Sequence, residues 1–79
     1  MQLLLAALGQ AISTRRIAHS LSQQELASAS GIHRSYMSDV ERGLRNVTLA
    51  TLENIATELN TTSAELLSQA QKGREGKRA

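Results

Sequence analysis

Between Ser22 and Gly43 the chain is punctuated so closely that only two short helices fit. Ser22-Gln23-Gln24-Glu25 reads as a capping box: the Ser22 hydroxyl can accept from the Glu25 amide while the Glu25 carboxylate reaches back. The helix it opens runs to about Ser30. Gly31 then suits the left-handed position just past a helix end, and Ile32 begins a short link. A second helix follows from about Arg34 to Arg42, with Met37 and Val40 facing inward at i and i+3, and Gly43 stops it by the same logic. Helices this short are marginal alone, so the rest of the chain has to pack around them.

The flanking sequence supplies three more helices. From about Leu3 to about His19, Leu4, Leu8, Ala11 and Ile12 repeat on one helical face, and Ser20-Leu21 breaks the pattern. Leu44 to Val47 read as a loop. Thr48 caps a fourth helix, about Leu49 to Leu59, with a stripe of Leu52, Ile55, Ala56 and Leu59. Asn60-Thr61 is a turn, and Thr62-Ser63-Ala64-Glu65 is a second capping box. It opens a fifth helix to about Ala70 that carries Leu66 and Leu67. No internal repeat is visible. With no proline, no cysteine and Tyr36 as the only aromatic residue, the core must be aliphatic. The reading is an all-α, compact five-helix bundle over residues 1–71. Residues 72–79 carry charge, two glycines and no apolar pattern, and are expected to form a disordered basic tail.

Composition removes several function classes. Without cysteine there is no disulfide, thiolate metal site or cysteine nucleophile, which fits the cytoplasm. The apolar run Leu3–Ile12 is too short to span a bilayer and lacks a basic leader, so it reads as part of helix one, with no membrane partner. His19 and His33 have no metal-ligand spacing with each other or with a third donor. No nucleophile–base pair and no phosphate-cradling glycine loop is present. The chain is therefore read as a non-enzyme without metal or cofactor. The net charge of +2 hides a polarity: residues 72–79 sum to +3, and residues 1–71 to −1. All five basic residues of that larger part, Arg15, Arg16, Arg34, Arg42 and Arg45, precede residue 46. A positive end in the first half points to a polyanionic partner. A single aromatic residue argues against a stacking platform for single strands.

Helices two and three, joined by a turn of about three residues, have the spacing of a helix-turn-helix, whose second helix can enter the major groove of duplex DNA. The strings themselves, Ser22-Gln23-Gln24-Glu25-Leu26-Ala27 and Ser30-Gly31-Ile32-His33-Arg34-Ser35-Tyr36-Met37-Ser38-Asp39-Val40-Glu41-Arg42-Gly43, resemble the Xre family, which includes the phage repressors and Cro proteins. The resemblance extends through Arg45-Asn46-Val47-Thr48-Leu49-Ala50-Thr51-Leu52-Glu53 and covers roughly residues 8–67. His33 to Ser38 and Arg45 to Thr48 most resemble controller proteins of restriction–modification systems, stand-alone domains that dimerise and regulate their own operon. Two positions depart from the family pattern. Ser20 stands where glycine is common, and His33 where Ser, Thr or Asp normally caps the groove helix.

The candidate contacts divide by chemistry. Arg34, Ser35, Ser38 and Asp39 lie on the polar face of helix three, opposite Met37 and Val40, and are candidates for base edges. Arg34 offers a fork that matches guanine O6 and N7. Asp39, repelled by phosphates, can accept from cytosine N4 or can orient Arg34 or Arg42. Gln23 sits at a helix start that suits a phosphate. His33, Tyr36, Arg42, Arg45 and Asn46 complete the set expected at the sugar–phosphate backbone; core and groove-lining are the other readings of Tyr36, and its place as the sole aromatic on the groove helix favours DNA. The resemblance implies that Arg16 and Glu41 form an internal ion pair between helices one and three. It also places a dimer contact near helices four and five, where Leu66 and Leu67 are candidates.

The resulting expectation is a homodimeric regulator on a pseudo-palindromic operator of double-stranded DNA, its two groove helices about one DNA turn apart. The alternative is an antitoxin that binds DNA and a toxin chain. A protein-only adaptor is disfavoured by Arg34, Arg42, Arg45 and Gln23. Contact with RNA polymerase stays open.

Overall fold

The computed structural model describes the backbone of residues 2–78 and the side chains of residues 2–74. Five helices follow in order: α1 (Gln2–Ala18), α2 (Gln23–Ser30), α3 (Arg34–Glu41), α4 (Leu49–Glu58) and α5 (Ser63–Arg78). No strand occurs among the described residues. No helix there is long and apolar enough to cross a membrane.

The helices start where their caps require. The Ser22 hydroxyl accepts from the Glu25 amide at 3.0 Å, and the Glu25 carboxylate accepts from the Ser22 amide at 2.8 Å. The Ser22 amide and hydroxyl hold the Glu25 carboxyl below the usual carboxylate range. That interaction stabilises the fold at neutral pH and is lost as the pH falls through the lowered value. Thr48 Oγ1 accepts from the Thr51 amide at 3.1 Å, and Thr62 Oγ1 from the Glu65 amide at 3.1 Å. The second expected box closes only by this first arm; Glu65 turns instead toward Arg15 on α1, 3.8 Å away.

Four helices end by one device. After α1, the Leu21 amide donates to Arg16 O at 3.1 Å and the Ser20 amide to Ile17 O at 2.9 Å. The same pair of bonds recurs at Gly31-Ile32, Gly43-Leu44 and Asn60-Thr61. This geometry needs a left-handed residue, and the φ values are 58° at Ser20, 75° at Gly31, 74° at Gly43 and 56° at Asn60. Ser20 thus occupies, with a side chain, a conformation that costs most residues roughly 1–2 kcal/mol. We expect Ser20→Gly to stabilise the protein by about 0.5–1 kcal/mol, measured by denaturant melting, with no loss of helix content. A fall in stability would mean that the serine side chain itself holds the turn.

The core is aliphatic. Ile12, Leu26, Met37, Ile55, Leu59 and Leu66 are fully buried, one or more from every helix or its cap. Leu4, Ala11, Leu21, Ile32, Tyr36, Val47 and Leu67 pack around them half-buried. Burial of Leu66 corrects its placement at a dimer contact. At 0 % exposure it has no surface left for a second copy, because α5 lies against α1 and turns that stripe inward. Leu67 is only partly buried. Among the described residues, Leu3, Ile17, Leu44 and Leu49 are the exposed large apolar side chains.

Helix α5 also outruns its expected end. Its backbone continues from Ala70 to Arg78, where a structureless tail is expected from composition. The reason is tertiary. Ala70 is fully buried, a Cβ at Gly73 would lie 3.9 Å from the Ala7 Cβ, and Arg15 Nε donates to Gln69 Oε1 at 3.1 Å. Docking on α1 offsets the poor helix propensity of Gly73. The side chains of residues 75–79, and the whole of Ala79, lie outside the described residues.

Helix α1 and the end of α3 approach closely. A Cβ built at Gly9 would overlap the carbonyl oxygens of Val40 and Glu41, and one at Gly43 would lie 2.7 Å from the Ala6 Cα. Backbone meets backbone there, which sets how α3 is carried on α1.

Candidate nucleic-acid interface

Helix α3 is amphipathic by its own sequence. Met37 and Val40 are buried, whereas Arg34 and Ser35 are exposed and Ser38 and Asp39 half-exposed. The side that faces away from the core therefore carries the four residues assigned to base edges. His33 stands at the N-cap with extended backbone and no side-chain cap bond, and its side chain is exposed. The first turn of α3 thus presents its amide end without a side-chain acceptor from His33, the arrangement that favours an anion. Asn46 is exposed in the loop that follows α3.

The frame behind this face is a charged network. Arg16 Nε donates to Glu41 Oε2 at 2.7 Å, and Arg16 Nη2 to Glu41 Oε1 at 3.1 Å. The remaining Arg16 nitrogen, Nη1, donates to Leu21 O at 2.8 Å. Gln23 Nε2 donates to Glu41 Oε1 at 2.9 Å. The Arg16 side chain is 14 % exposed and that of Glu41 6 %, so the pair is largely desolvated. One arginine thereby ties α1, the turn after it and the end of α3, and Gln23 adds the start of α2. Gln23, read from the sequence as a phosphate contact, is half-buried with its amide committed to Glu41.

A second cluster lies on the outer side. Asp39 Oδ1 accepts from Arg42 Nη2 at 2.9 Å and Asp39 Oδ2 from Arg45 Nη2 at 3.3 Å. The Arg45 guanidinium carbon sits 4.9 Å from the centroid of the Tyr36 ring, in cation–π contact. The hydrogen bond from Arg42 is the main cause that holds the Asp39 carboxyl below the usual carboxylate range, partial desolvation opposes it, and Arg45 adds to the lowering. Asp39 therefore orients Arg42, one of the two partners open to it from the sequence, and Arg45 rather than Arg34. Tyr36 packs half-buried against the core and carries Arg45 on its face.

The Asp39–Arg42 pair is accessible from sequence as an i,i+3 spacing on one helix. Gln23–Glu41 and Arg45–Tyr36 are not, because they join elements through the turn geometry and leave no local signal. The contact at Gly9 does leave one: an isolated glycine inside a helical pattern costs about 1 kcal/mol relative to alanine, which points to a packing reason.

Comparison with known proteins agrees with this geometry. The helix-turn-helix family matches residues 12–66, the span from the middle of α1 into α5. The chain is 45 % identical over 62 residues to the control protein C.SmaI of Serratia marcescens, covering 78 % of this chain and 74 % of that one. The restriction–modification controller protein C.AhdI of Aeromonas hydrophila superposes with a TM-score of 0.76 at 45 % identity, over 78 % of this chain and 94 % of the other. SinR, the master regulator for biofilm formation, solved in complex with DNA, superposes with a TM-score of 0.72 at 34 % identity, over 76 % and 97 %. The chain belongs to the helix-turn-helix family of DNA-binding transcriptional regulators, closely related to the restriction–modification controller proteins.

Proposed function

We propose that the protein acts as a homodimer on a pseudo-palindromic operator, in the manner of a restriction–modification controller, with α3 of each copy in the major groove. The observation that carries this reading is the face of α3: Arg34 and Ser35 project into solvent from a helix whose opposite side is buried and whose position is held by the Arg16–Glu41 pair. The controller relatives favour an operon regulator over an antitoxin. A two-fold pair of such helices reads two half-sites about 34 Å apart. The apolar side chains available to a second copy are the exposed ones, Leu3, Ile17, Leu44 and Leu49, rather than Leu66.

Within this reading Arg34 reads a base, while Arg42, Arg45 and Asn46 hold the sugar–phosphate backbone. The two roles separate in one experiment. An operator is first selected from a random duplex pool, and binding is then measured to it and to each single-base variant at several salt concentrations. Arg34→Ala should cost about 1–3 kcal/mol on the operator and relax the preference at one base pair per half-site. Arg45→Ala should weaken the operator and its single-base variants by one common factor and reduce the salt slope by about one. If Arg34→Ala also acts by one common factor, Arg34 is a phosphate clamp and the base-reading assignment passes to Ser35 and Ser38. If no duplex is enriched from the pool, the operator reading itself fails.

A further inference from the structure

The Asp39 carboxylate is out of place on a surface meant for a polyanion, yet both of its oxygens are used. Oδ1 takes Arg42 at 2.9 Å and Oδ2 takes Arg45 at 3.3 Å. The carboxylate is the shielded member, 28 % exposed against 64 % for Arg42 and 50 % for Arg45. Arg45, which enters from the loop, is held from a second direction by the Tyr36 ring.

Two physical consequences follow. A long arginine loses rotamer freedom when it grips a phosphate, and one already pinned at two points has less to lose. That advantage exists only where phosphates meet the pinned positions, which means on DNA docked in one register. The second consequence is indiscriminate. Affinity for any duplex rises with the positive charge offered to phosphates, and Asp39 cancels one of two charges here. The first effect favours the operator, and the second lowers binding to every duplex.

We propose that Asp39 is a positioning residue that sets the ratio of specific to non-specific DNA binding: it presents Arg42 and Arg45 in an arrangement fitted to the operator backbone and withholds part of their charge from other duplexes. The proposal rests on the operator reading above. Asp39 itself touches no base.

The test uses the full chain carrying Asp39→Asn or Asp39→Glu. Binding is measured by fluorescence anisotropy to the selected operator, its single-base variants and a scrambled duplex of equal composition, across a salt series. Asp39→Asn should bind the scrambled duplex roughly three- to tenfold more tightly, with a salt slope steeper by about one. Its operator affinity should stay level or fall, so that the specificity ratio drops by roughly threefold to tenfold or more. Asp39→Glu, which restores the charge, should return the scrambled-duplex affinity and slope to wild type. In an Arg45→Gln background, Asp39→Asn should lose part of its effect on the ratio, since one of the two positioned groups is gone. Circular dichroism melts check that each variant is folded. Should Asp39→Asn not fold, Arg45→Gln alone carries the test: it should weaken the operator more than the scrambled duplex, and equal weakening of the two overturns the proposal.

An equal tightening of Asp39→Asn on operator and scrambled duplex also overturns it, because Asp39 would then only repel DNA. So does loss of discrimination at a single base pair, because Asp39 would then read a base. All these outcomes leave the operator reading standing. If the wild-type chain prefers no duplex over another, the proposal falls together with that reading.

Discussion

Arg16→Ala is expected to leave the protein largely unfolded at temperatures where the wild type is stable. The substitution removes all three bonds that Arg16 makes, two to Glu41 and one to Leu21 O. Glu41, 6 % exposed, keeps only the Gln23 amide as a side-chain partner. Breaking one side of a buried pair costs about 3–5 kcal/mol, because the remaining charge stays desolvated. Small domains have a total stability of roughly 5–15 kcal/mol, so this is a large share of it. The melting midpoint should fall by roughly 15 °C or more, measured by circular dichroism. The double variant Arg16→Met with Glu41→Met should recover much of the loss, since it removes the stranded carboxylate as well. If Arg16→Ala melts within a few degrees of wild type, the pair is hydrated in solution and contributes little.

Gly9→Ala should be nearly as damaging, against the direction that helix propensity predicts. On an exposed helix this substitution stabilises by about 1 kcal/mol. Here the new methyl group would overlap the carbonyl oxygens of Val40 and Glu41, which are backbone atoms and cannot rotate aside. The helices must separate instead, and overpacking of this kind costs roughly 1–3 kcal/mol or more. Because α3 rests on α1 at this point, the displacement should also weaken operator binding more than the stability loss alone would. Paired melts and anisotropy titrations measure both. A Gly9→Ala protein more stable than wild type would show that α1 and α3 are farther apart than the structure places them.

These two positions differ in how far the sequence announces them. Arg16 and Glu41 become partners only through the family resemblance, since nothing in their spacing joins residues on separate helices. Gly9 stands in an apolar helical stripe where glycine is unfavourable, and that cost is itself a sign of a tertiary constraint. The candidate DNA face was accessible for a different reason. A helix with Met37 and Val40 on one side must turn Arg34, Ser35, Ser38 and Asp39 to the other. The partners of Asp39 were half accessible: Arg42 caps the same helix three residues on, whereas Arg45 lies beyond the turn at Gly43.

The sequence by itself determined the five helices, their starts and the ends of four of them. Caps and left-handed stops are written in neighbouring residues, as at Ser22-Glu25, Thr48 and Gly31, and their hydrogen bonds close within one turn. It also determined which side of α3 is polar. The tertiary structure alone decided that Leu66 faces its own core rather than a second copy, that α5 runs past Ala70 along α1, and that Gln23 serves Glu41. It alone decided, too, that Arg45 lies on Tyr36 within reach of Asp39. The physical reason is common to all four. Each depends on how separately formed elements are set against one another, and that placement comes from the shared burial of side chains across the whole core, which no local pattern encodes.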